Sequence, residues 1–511
     1  MTRPWLEPLF AADEMRALDR WAIEHEGVRS LELMERAGAE VGRAITELSP
    51  AGPVRVVCGR GNNGGDGLVV ARLLRDRGLE ADALLLFAPD DLSPDARANL
   101  DGTEAREVGA EHLAGALEGS AVVVDAILGT GFSGSPRAPL DAAVEAINSS
   151  GATVVAVDVP SGVDASTGEV EGACVRADLT ITFHAHKLGL WIAPGKLRAG
   201  RVEAVDIGIP PLGEGRPPVP EPGLIRPAVV DLPPRRTPEG NKFRSGSVLA
   251  VGGSTGLTGA VCMACEGAMR AGAGWVRAAV PASLNQVFEV KLTEVMSIPL
   301  PDDEGHLVEG AAGAVLEAAE RADAVVIGPG LGRADESFAL AQRLAREIDR
   351  PLLVDADGLN ALAAAKLAPA AARTAPLVLT PHAGELGRLL DRSSAEVEAH
   401  RLASAREAAE RARAVVVLKG DDTIVAAPGS GDLAVNPGGS PALATAGTGD
   451  VLSGVIAAFL ARGLDAFEAA CAGVYVHADA GREAARRLGA ESVVAGDVIE
   501  ALPAALRGAR G

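Results

Sequence analysis

Short apolar runs rich in β-branched residues alternate with alanine-rich stretches along almost the whole chain. Each run has the length of a strand, and the stretch between two runs is long enough for a crossover helix. Because aromatic residues make up only 3% of the chain, its cores must be filled by Ala, Val, Leu and Ile. This suits parallel sheets with helices on both faces, so the alternation predicts α/β folds. The clearest runs are VRVVC, ADALLLF, AVVVDAI and ATVVAVDV in the first half and GSVLAVGG, DAVVIGPG, PLLVDADG and AVVVLKG in the second.

A proline-rich segment from Gly208 to Gly240 interrupts this alternation. Repeated proline fixes φ and removes hydrogen-bond donors, so an extended linker or an edge-wrapping segment is expected there. At 511 residues the chain is also too long for one ordinary core. We therefore predict two unlike α/β domains, at 1–218 and 219–511.

The charge balance limits the partners of the chain. With 48 Lys and Arg against 69 Asp and Glu, the formal net charge is -21. This argues against nucleic acid or an anionic membrane as the main partner, while a small anion can still be held by local backbone N–H groups. Five cysteines without framework spacing, including Cys262 and Cys265 in a small-residue helix pattern, indicate a reducing compartment. We expect a cytoplasmic protein, and a homo-oligomer.

The segment GRGNNGGDG follows the strand VRVVC and precedes a helical stretch. Its glycines are expected to take φ > 0 and to let backbone N–H groups approach a ligand, in a loop from Gly59 to Gly67. A helix beginning after Asp66 would direct its positive end to the same place. Asn62, Asn63 and Asp66 add polar side chains that an ordinary dinucleotide turn lacks. A plain strand-to-helix turn is the alternative.

Three strand ends in the first half carry polar motifs, at this loop, at DAILGTGFSGS and at VDVPSGVD. Ligands collect at the carboxyl ends of parallel strands, so these motifs are expected to converge. Asn63, Asp125 and Ser161 would offer an amide, a carboxylate and a hydroxyl oxygen, which suits a monovalent cation. Asp158 is the candidate general acid/base, because partial burial would raise its pKa toward neutrality. Helix caps and a turn hydroxyl are the alternative roles of Asp125, Asp158 and Ser161.

In this order and spacing, the three motifs resemble the epimerase domain of NAD(P)H-hydrate repair enzymes, a Rossmann-like three-layer domain. The resemblance implies inversion of the hydroxyl-bearing carbon of a hydrated nicotinamide nucleotide, with K+ held by Asn63, Asp125 and Ser161. The residues that it places against the nucleotide are Asn62, Asn63, Gly64, Gly65, Asp66, Gly129, Thr130, Gly131, Phe132, Ser133, Gly134, Ser135 and Asp158.

In the second half the strongest motif is ATAGTGDVLSGVIAAF, from Ala444 to Phe459. Gly447, Thr448 and Gly449 are expected to precede a helix and form an anion-binding turn, with Asp450 as a candidate base in its first turn. A capped helix is the alternative. Other strands are followed by GGSTGLTGAV, GPGLG, DADGLN, TPHAGE and LKGDDT.

Each polar side chain in those motifs has both a functional and a structural interpretation. Lys419 can meet a phosphate or be a solvated strand-end lysine, and His382 can orient a substrate or begin a helix. Asp355 and Asp357 are metal ligands or turn and cap residues with equal weight.

Together these motifs resemble the nucleotide-dependent NAD(P)H-hydrate dehydratase domain, which has a ribokinase-like α/β fold. The resemblance implies that Asp450 deprotonates the 6-hydroxyl, that a nucleotide phosphorylates it in the presence of Mg2+, and that phosphate then leaves. In bacterial-type fusions the family implies ADP as the donor, whereas other branches use ATP, and the residues themselves do not decide between the two. It places Ala260, Gly330, His382 and Asp450 against the hydrate, and Lys419, Gly420, Asp421, Asp422, Thr423 and Gly449 against the adenine nucleotide. Asn241-Lys242 and Gly439-Ser440-Pro441 depart from the family's usual His-Lys and Gly-Asn-Pro.

Three alternative functions can be compared with the sequence. A ribokinase-like small-molecule kinase would need only the GTGD motif and would keep its phosphorylated product, with the first half as a nucleotide-binding domain. A catalytically inactive scaffold for RNA or protein is opposed by the acidic charge and by Asp158. A classical dehydrogenase is opposed by the lack of GxGxxG with a downstream acidic residue in the first half.

Overall fold

The computed structural model describes residues 3–211, 213–236, 238, 244–429 and 431–508. The chain divides into two compact units. The N-terminal unit is Pro8–Pro222, and the C-terminal unit combines Gly223–Gly511 with the segment that ends at Glu7. That segment carries strand β1 (Leu6–Pro8). Two α/β domains are therefore present, as predicted.

The N-terminal unit is built on a parallel sheet of seven strands in the order β4-β3-β2-β5-β6-β7-β8. All its strand pairs are parallel, and separate apolar clusters fill the two faces of the sheet, which is the predicted three-layer Rossmann-like arrangement. The strands are β2 (Val54–Cys58), β3 (Ala81–Leu85), β4 (Ala105–Glu107), β5 (Val122–Ala126), β6 (Thr153–Val157), β7 (Leu179–Phe183) and β8 (Arg201–Val205). The helices are α1 (Ala12–Glu24), α2 (Ser30–Glu47), α3 (Asn62–Asp76), α4 (Pro94–Ala98), α5 (Ala110–Leu117), α6 (Leu140–Asn148) and α7 (Lys196–Ala199).

The C-terminal unit is built on an eleven-stranded sheet in the order β1-β9-β20-β19-β18-β17-β16-β15-β10-β11-β12. From β18 to β12 the strands run parallel, while β19 pairs antiparallel with both of its neighbours. The strands are β9 (Gly223–Ile225), β10 (Ser247–Val251), β11 (Trp275–Pro281), β12 (Met296–Leu300), the hairpin β13 (Asp302–Asp303) and β14 (His306–Leu307), β15 (Ala324–Ile327), β16 (Leu352–Val354), β17 (Leu377–Leu379), β18 (Val415–Leu418), β19 (Ile424–Ala426) and β20 (Leu433–Val435).

Alanine-rich helices cover this second sheet, and α17 packs against both α8 and α18. The helices are α8 (Thr258–Arg270), α9 (Asn285–Lys291), α10 (Ala312–Glu320), α11 (Asp335–Glu347), α12 (Ala356–Ala364), α13 (Ala368–Ala371), α14 (Ala383–Leu390), α15 (Ser394–Ala399), α16 (Arg401–Ala412), α17 (Thr448–Ala461), α18 (Ala466–Leu488) and α19 (Ala495–Gly508).

The N-terminal segment belongs to the C-terminal unit. Strand β1 pairs with β9 at the edge of the eleven-stranded sheet, and Trp5 is buried in the core of that unit, 6.2 Å from the Phe467 ring between centroids. Arg3 Nη1 lies 2.6 Å from Asp432 Oδ1. The boundary between the compact units lies four residues after the predicted division at 218. The N-terminal segment also joins the C-terminal unit, because the apolar Trp5 side chain packs against Phe467, a residue distant in sequence. The proline-rich segment supplies the short strand β9, which lies between β1 and β20 in this sheet.

Replacing Trp5 with alanine is expected to destabilise the C-terminal unit. The side chain is only 3% exposed, and truncating a buried tryptophan costs about 3–5 kcal/mol of unfolding free energy. Chemical denaturation of the full chain, followed by circular dichroism, measures the loss. Val290→Ala, at a side chain 83% exposed in the same unit, is the control and should change little. Equal stability of the two variants would contradict the packing of this segment.

Cysteines and helix hydropathy give two further findings. All five cysteines are buried and free, and Cys262 and Cys265 are helix thiols on α8 as the sequence indicates. Among the described residues, no helix combines the length and the apolar character that a membrane crossing requires.

Candidate functional site

The GRGNNGGDG segment differs from the prediction in where its helix begins. Helix α3 begins at Asn62 and not after Asp66, so the loop is confined to the residues around Gly59–Gly61. None of the five glycines of the GRGNNGGDG segment has a positive φ, in contrast to the expectation. They permit close packing instead. A methyl group on Gly64 would overlap the carbonyl oxygen of Gly59, and one on Gly67 would stand 2.6 Å from the Ala126 Cβ.

A cavity of about 1120 Å³ lies at the carboxyl ends of the parallel strands in the N-terminal unit. All three predicted motifs contribute to it, so the expected convergence occurs. Gly64 and Gly65 are buried and do not line the cavity; Gly65 packs against Met34. The remaining predicted contact residues do line it: Asn62, Asn63, Asp66, Gly129, Thr130, Gly131, Phe132, Ser133, Gly134, Ser135 and Asp158.

Asp158 follows strand β6 with a left-handed φ of 67° and its carboxylate is held from several sides. Thr130 donates to Oδ2 from both its hydroxyl and its backbone N–H, and Thr182 donates to Oδ1 at 3.3 Å. The Lys187 Nζ lies 2.7 Å from Oδ1. Burial raises the pKa of Asp158, but Lys187 and Thr130 outweigh it and hold the pKa below its ordinary value. The predicted shift toward neutrality is therefore wrong, and Asp158 is a stable carboxylate.

Two titratable groups that interact with Asp158 in this cavity were not found from the sequence. Lys187 is buried and also donates to the Phe183 carbonyl oxygen at 2.7 Å. Asp19, on α1, lines the cavity, and burial together with the Asp158 charge raises its pKa to about 6 against the opposing effect of Lys187. Asp19 was detectable, because it stands four residues after the buried Met15 on one helix face. Lys187 had a weaker signal, a single lysine shortly after the apolar run LTITF.

Asp125 and Ser161, two of the predicted potassium ligands, are in direct contact. The Ser161 hydroxyl donates to Asp125 Oδ1 at 2.6 Å and its N–H donates to Oδ2 at 2.7 Å. Leu128 N–H donates to the Ser161 hydroxyl, and the next residue, Gly129, lies against the Asn63 amide. Burial raises the pKa of Asp125 to about 6. The three predicted ligands therefore surround the backbone at Leu128.

In the C-terminal unit, Gly447 is the N-cap of α17 with a φ of 91°, and the helix begins at Thr448. Thr448 and Gly449 are thus inside the first turn and do not precede the helix as predicted. His477, on α18, shares a hydrogen bond with the Thr448 backbone. Burial lowers the pKa of His477 to about 4, so its ring is neutral. No sequence motif indicated that His477 supports this turn.

Asp450 lies in a cluster of charged groups on neighbouring strand ends. Lys419 Nζ is 2.9 Å from Asp355 Oδ1 and 3.8 Å from Glu385 Oε2, and it lies close to Gly449. Ser453 donates to the second Asp355 oxygen. Burial and the Asp355 charge raise the pKa of Asp450 to about 7, although Lys419 opposes this shift. Lys419 is therefore an ion-paired strand-end lysine beside the GTGD turn and not a solvated one.

The segment from Lys419 to Thr423 is a tight turn. Gly420 and Thr423 are joined by the Thr423 hydroxyl, which donates to the Gly420 carbonyl oxygen at 2.6 Å, and Asp421 accepts from the Gly439 N–H. Asp422 has a structural partner that the sequence did not reveal. Arg401 Nε and Nη2 each lie 2.9 Å from one of its carboxylate oxygens, and both side chains are buried.

Replacing Asp422 with alanine is expected to cost up to about 3–5 kcal/mol of stability, because it removes the buried carboxylate that pairs with two nitrogens of the Arg401 guanidinium and leaves that group with the exposed Glu398 carboxylate at Nη1. Asp421→Ala is the matched control on the adjacent, less buried aspartate and should cost less. Denaturant unfolding of the two variants measures the difference. If Asp422→Ala had the same unfolding free energy as the unchanged chain, the Arg401–Asp422 ion pair would not contribute to stability.

The other predicted residues of this unit are placed as follows. Ala260 and Gly330 are in contact, with 3.1 Å between the Ala260 Cβ and a Cβ built on Gly330. His382 is the N-cap of α14, where its Nδ1 accepts from the Gly384 N–H. Asp357 accepts from the Gly332 N–H and pairs with Arg333. Asn241 and Lys242 lie outside the described residues. Ser440 caps the short turn that follows it.

Similarity to known proteins extends over both units. A family model described as NAD(P)H-hydrate dehydratase matches residues 248–504, and one described as YjeF-related protein N-terminus matches residues 30–189. The bifunctional NAD(P)H-hydrate repair enzyme of Moorella thermoacetica is 42% identical, with 98% of this chain and 96% of the relative covered. The Escherichia coli K12 enzyme of the same name is 36% identical, with 96% and 92% covered.

Among solved structures, a ribokinase-like superfamily protein from Enterococcus faecalis V583 matches with a TM-score of 0.50 and 24% identity, over 57% of this chain and 96% of that one. This likeness confirms the ribokinase-like fold that the sequence predicts for the second half.

Proposed function

The chain belongs to the family of bifunctional NAD(P)H-hydrate repair enzymes, and on this premise we propose that it repairs hydrated NADH and NADPH. The N-terminal unit interconverts the R and S hydrates, and the C-terminal unit dehydrates the S hydrate to the reduced cofactor. The observation that carries this proposal is that relatives of this name cover nearly the whole chain, while each predicted site lies at strand ends within its own unit.

For the epimerase, the nucleotide is bound in the cavity of the N-terminal unit by the residues from Asn62 to Asp66, by the residues from Gly129 to Ser135 and by Asp158. Gly64 and Gly65 act there by permitting close packing. The carbon that bears the 6-hydroxyl is bonded to the ring nitrogen, so acid/base assistance can loosen the hydroxyl. Because Lys187 and Thr130 keep Asp158 ionised, Asp158 is assigned as the base and not as the acid.

Asn63, Asp125 and Ser161 fit a potassium ion. One carboxylate with two neutral oxygens suits a monovalent cation better than a divalent one. Asn63 Nδ2 is buried without a hydrogen-bond partner among the described residues, and turning the amide over would present its oxygen there instead. When bound, K+ would supply positive charge beside the loop at Gly129.

For the dehydratase, Asp450 removes the proton of the 6-hydroxyl, and the oxygen attacks the terminal phosphate of ADP to release AMP. The ring nitrogen lone pair then expels phosphate to give a carbon–nitrogen double bond, and loss of a proton from the neighbouring ring carbon, C5, gives NAD(P)H. The Gly449 N–H and Lys419 meet the phosphates, and the turn from Gly420 to Thr423 meets the rest of the nucleotide. Ala260, Gly330 and His382 hold the hydrate against Asp450.

Mg2+ is expected to accompany ADP. The described part of the chain holds no cluster of three or more His, Cys, Asp or Glu that could bind a metal ion. We therefore assign it no protein ligands, and no step depends on it. The five buried free cysteines fit a cytoplasmic site of action, and a homo-oligomer remains a prediction that light scattering of the purified chain would test.

The purified chain is expected to restore the near-ultraviolet absorbance of the reduced nicotinamide ring when it is given the S hydrate and ADP. With the R hydrate alone it should produce the S hydrate, as chromatography of the two epimers would show. Accumulation of a stable phosphorylated product without recovery of absorbance would support a small-molecule kinase instead. Omission of ADP is the control for uncatalysed recovery.

A further inference from the structure

The cavity of the N-terminal unit contains more carboxyl groups than one base requires. Besides Asp158, it is lined by Asp66 near the start of α3 and by Asp19 on α1. Asp95 and Glu171 line the cavity as well, and Asp19 and Asp66 are the lining carboxyl groups that interact electrostatically with both Asp158 and Lys187. Lys187 is the cation buried among them, and it contacts Asp158.

Asp66 and Asp158 have opposite surroundings. Asp158 accepts hydrogen bonds from Thr130 and Thr182 and pairs with Lys187. The Asp66 carboxyl has no hydrogen-bond or ion-pair partner among the described residues. Burial, and then the charges of Asp158 and Asp19, raise the pKa of Asp66 well above its ordinary value, and Lys187 opposes them only in part. Two carboxyls in one site with divergent environments are the pattern of an acid and base pair.

Inversion at the hydroxyl-bearing carbon of the hydrate has two chemical routes. In the first, a base removes the hydroxyl proton, the carbon–nitrogen bond breaks with its electron pair on the ring nitrogen, which takes up a proton, and the open aldehyde closes again with its original oxygen as that proton is returned. In the second, an acid protonates the hydroxyl, water leaves, and the ring nitrogen lone pair forms a carbon–nitrogen double bond. Water then adds to the opposite face. The second route needs a proton donor and a nearby negative charge that stabilises the cation.

From this geometry, and resting on the epimerase function proposed above, we infer that Asp66 donates the proton that turns the 6-hydroxyl into leaving water, and that Asp158 faces the resulting cation. The carbon–oxygen bond breaks with both electrons on oxygen, and the nitrogen lone pair makes the new double bond. A water molecule adds to the other face, and its surplus proton passes through Asp158 back to Asp66. Atoms and charge balance with water as the sole co-reactant.

Oxygen exchange distinguishes the two routes in the unchanged full chain. One epimer is incubated with the chain, without ADP, in water enriched in oxygen-18. The two epimers are then separated by chromatography, and their molecular masses are measured by mass spectrometry. The water-loss route predicts that the newly formed epimer gains the heavy oxygen as fast as it forms, beyond the exchange in a protein-free control. Epimerisation with retention of the original oxygen would overturn the inference while leaving the epimerase function intact. Absence of any interconversion would instead reject the epimerase function.

Replacing Asp66 with asparagine tests the donor itself. Asn keeps the size of the side chain and removes the acidic proton, so we expect kcat of epimerisation to fall by about 100-fold or more with KM little changed. Asp76→Asn, on the exposed end of the same helix, is the matched control. Unimpaired turnover in Asp66→Asn, or a collapse in Asp19→Asn alone, would exclude Asp66 as the donor. Circular dichroism and the ADP-dependent activity of the same preparation show whether the variant has folded.

Discussion

Replacing Asp450 with asparagine is expected to stop dehydration while epimerisation continues. Asp450 is the assigned base for the 6-hydroxyl, and asparagine cannot accept its proton. Loss of a positioned general base lowers turnover by about 100- to 10,000-fold. The absorbance recovered from the S hydrate with ADP measures the first activity, and chromatography of the two epimers measures the second. Parallel loss of both activities would show that the variant is damaged as a whole.

The same variant can be checked for folding by a physical argument. Asp450 is surrounded by Asp355, Asp357 and Glu385, which raise its pKa, so removing its charge relieves repulsion. The variant should therefore be no less stable than the unchanged chain. Asp335→Asn is the matched control, because Asp335 also lies in the first turn of a helix, α11, and is exposed. It should keep full dehydratase activity.

The pH dependence of dehydration follows from the pKa of about 7 for Asp450. A base acts only when it is deprotonated, so turnover should fall as the pH decreases through about 7 and should level off above it. The pH dependence of kcat/KM, measured at low S hydrate, reports this group in the unliganded protein, to which the pKa of about 7 applies. A turnover that stayed constant down to pH values well below 7 would contradict Asp450 as the base.

The fold could be predicted where the signal is local. Alternating strand and helix runs and the proline-rich segment indicated two α/β domains, because a buried parallel strand needs a continuous apolar run wherever it lies. The place of Trp5 could not be found in this way. Its partner Phe467 is more than four hundred residues away in the chain, and such a pairing leaves no periodic pattern.

The candidate site shows the same limit. Asp158, Asp450 and the glycine-rich segments could be located because they follow apolar strands, and strand ends of a parallel sheet meet at one edge. The direction of the Asp158 pKa could not be predicted, since it depends on Lys187, whose ammonium reaches the carboxylate only in the folded chain. Arg401 and Asp422 likewise meet through tertiary packing. Sequence motifs therefore located the candidate acid and base groups, while the directions of their pKa shifts required the structure.

Replacing Lys187 with methionine is expected to reverse the pKa shift of Asp158. Methionine fills similar space without charge, so burial, the largest single influence on Asp158, would no longer be opposed by an ammonium. The pKa should move from below its ordinary value to above it. The proposed base role of Asp158 requires its ionised form, so the acid limb of the pH profile of epimerisation should move to higher pH. Lys196→Met, on α7 outside the cavity, is the control and should keep the original profile.

The pH profile of epimerisation in Lys187→Met distinguishes a positioning role of Lys187 from a merely structural one. A structural lysine would lower the activity by the same factor at every pH, and the acid limb would stay in place. A positioning lysine would move the limb, and raising the pH would recover part of the lost turnover. An unmoved limb in Lys187→Met would therefore contradict the assignment.

The pH dependence of the unfolding free energy provides a second test of the Lys187 assignment, and its direction differs between the unchanged chain and Lys187→Met. In the unchanged chain the lowered pKa of Asp158 contributes stability above the unfolded pKa, and this contribution is lost as the pH falls through the folded pKa. In Lys187→Met the raised pKa favours the folded chain at low pH, and that advantage is lost as the pH rises through the folded pKa. The difference in unfolding free energy between the two proteins should thus widen from acidic to neutral pH, toward the cost of about 3–5 kcal/mol for leaving a buried charge without its partner. A difference that stayed constant over this range would mean that Lys187 does not control the ionisation of Asp158.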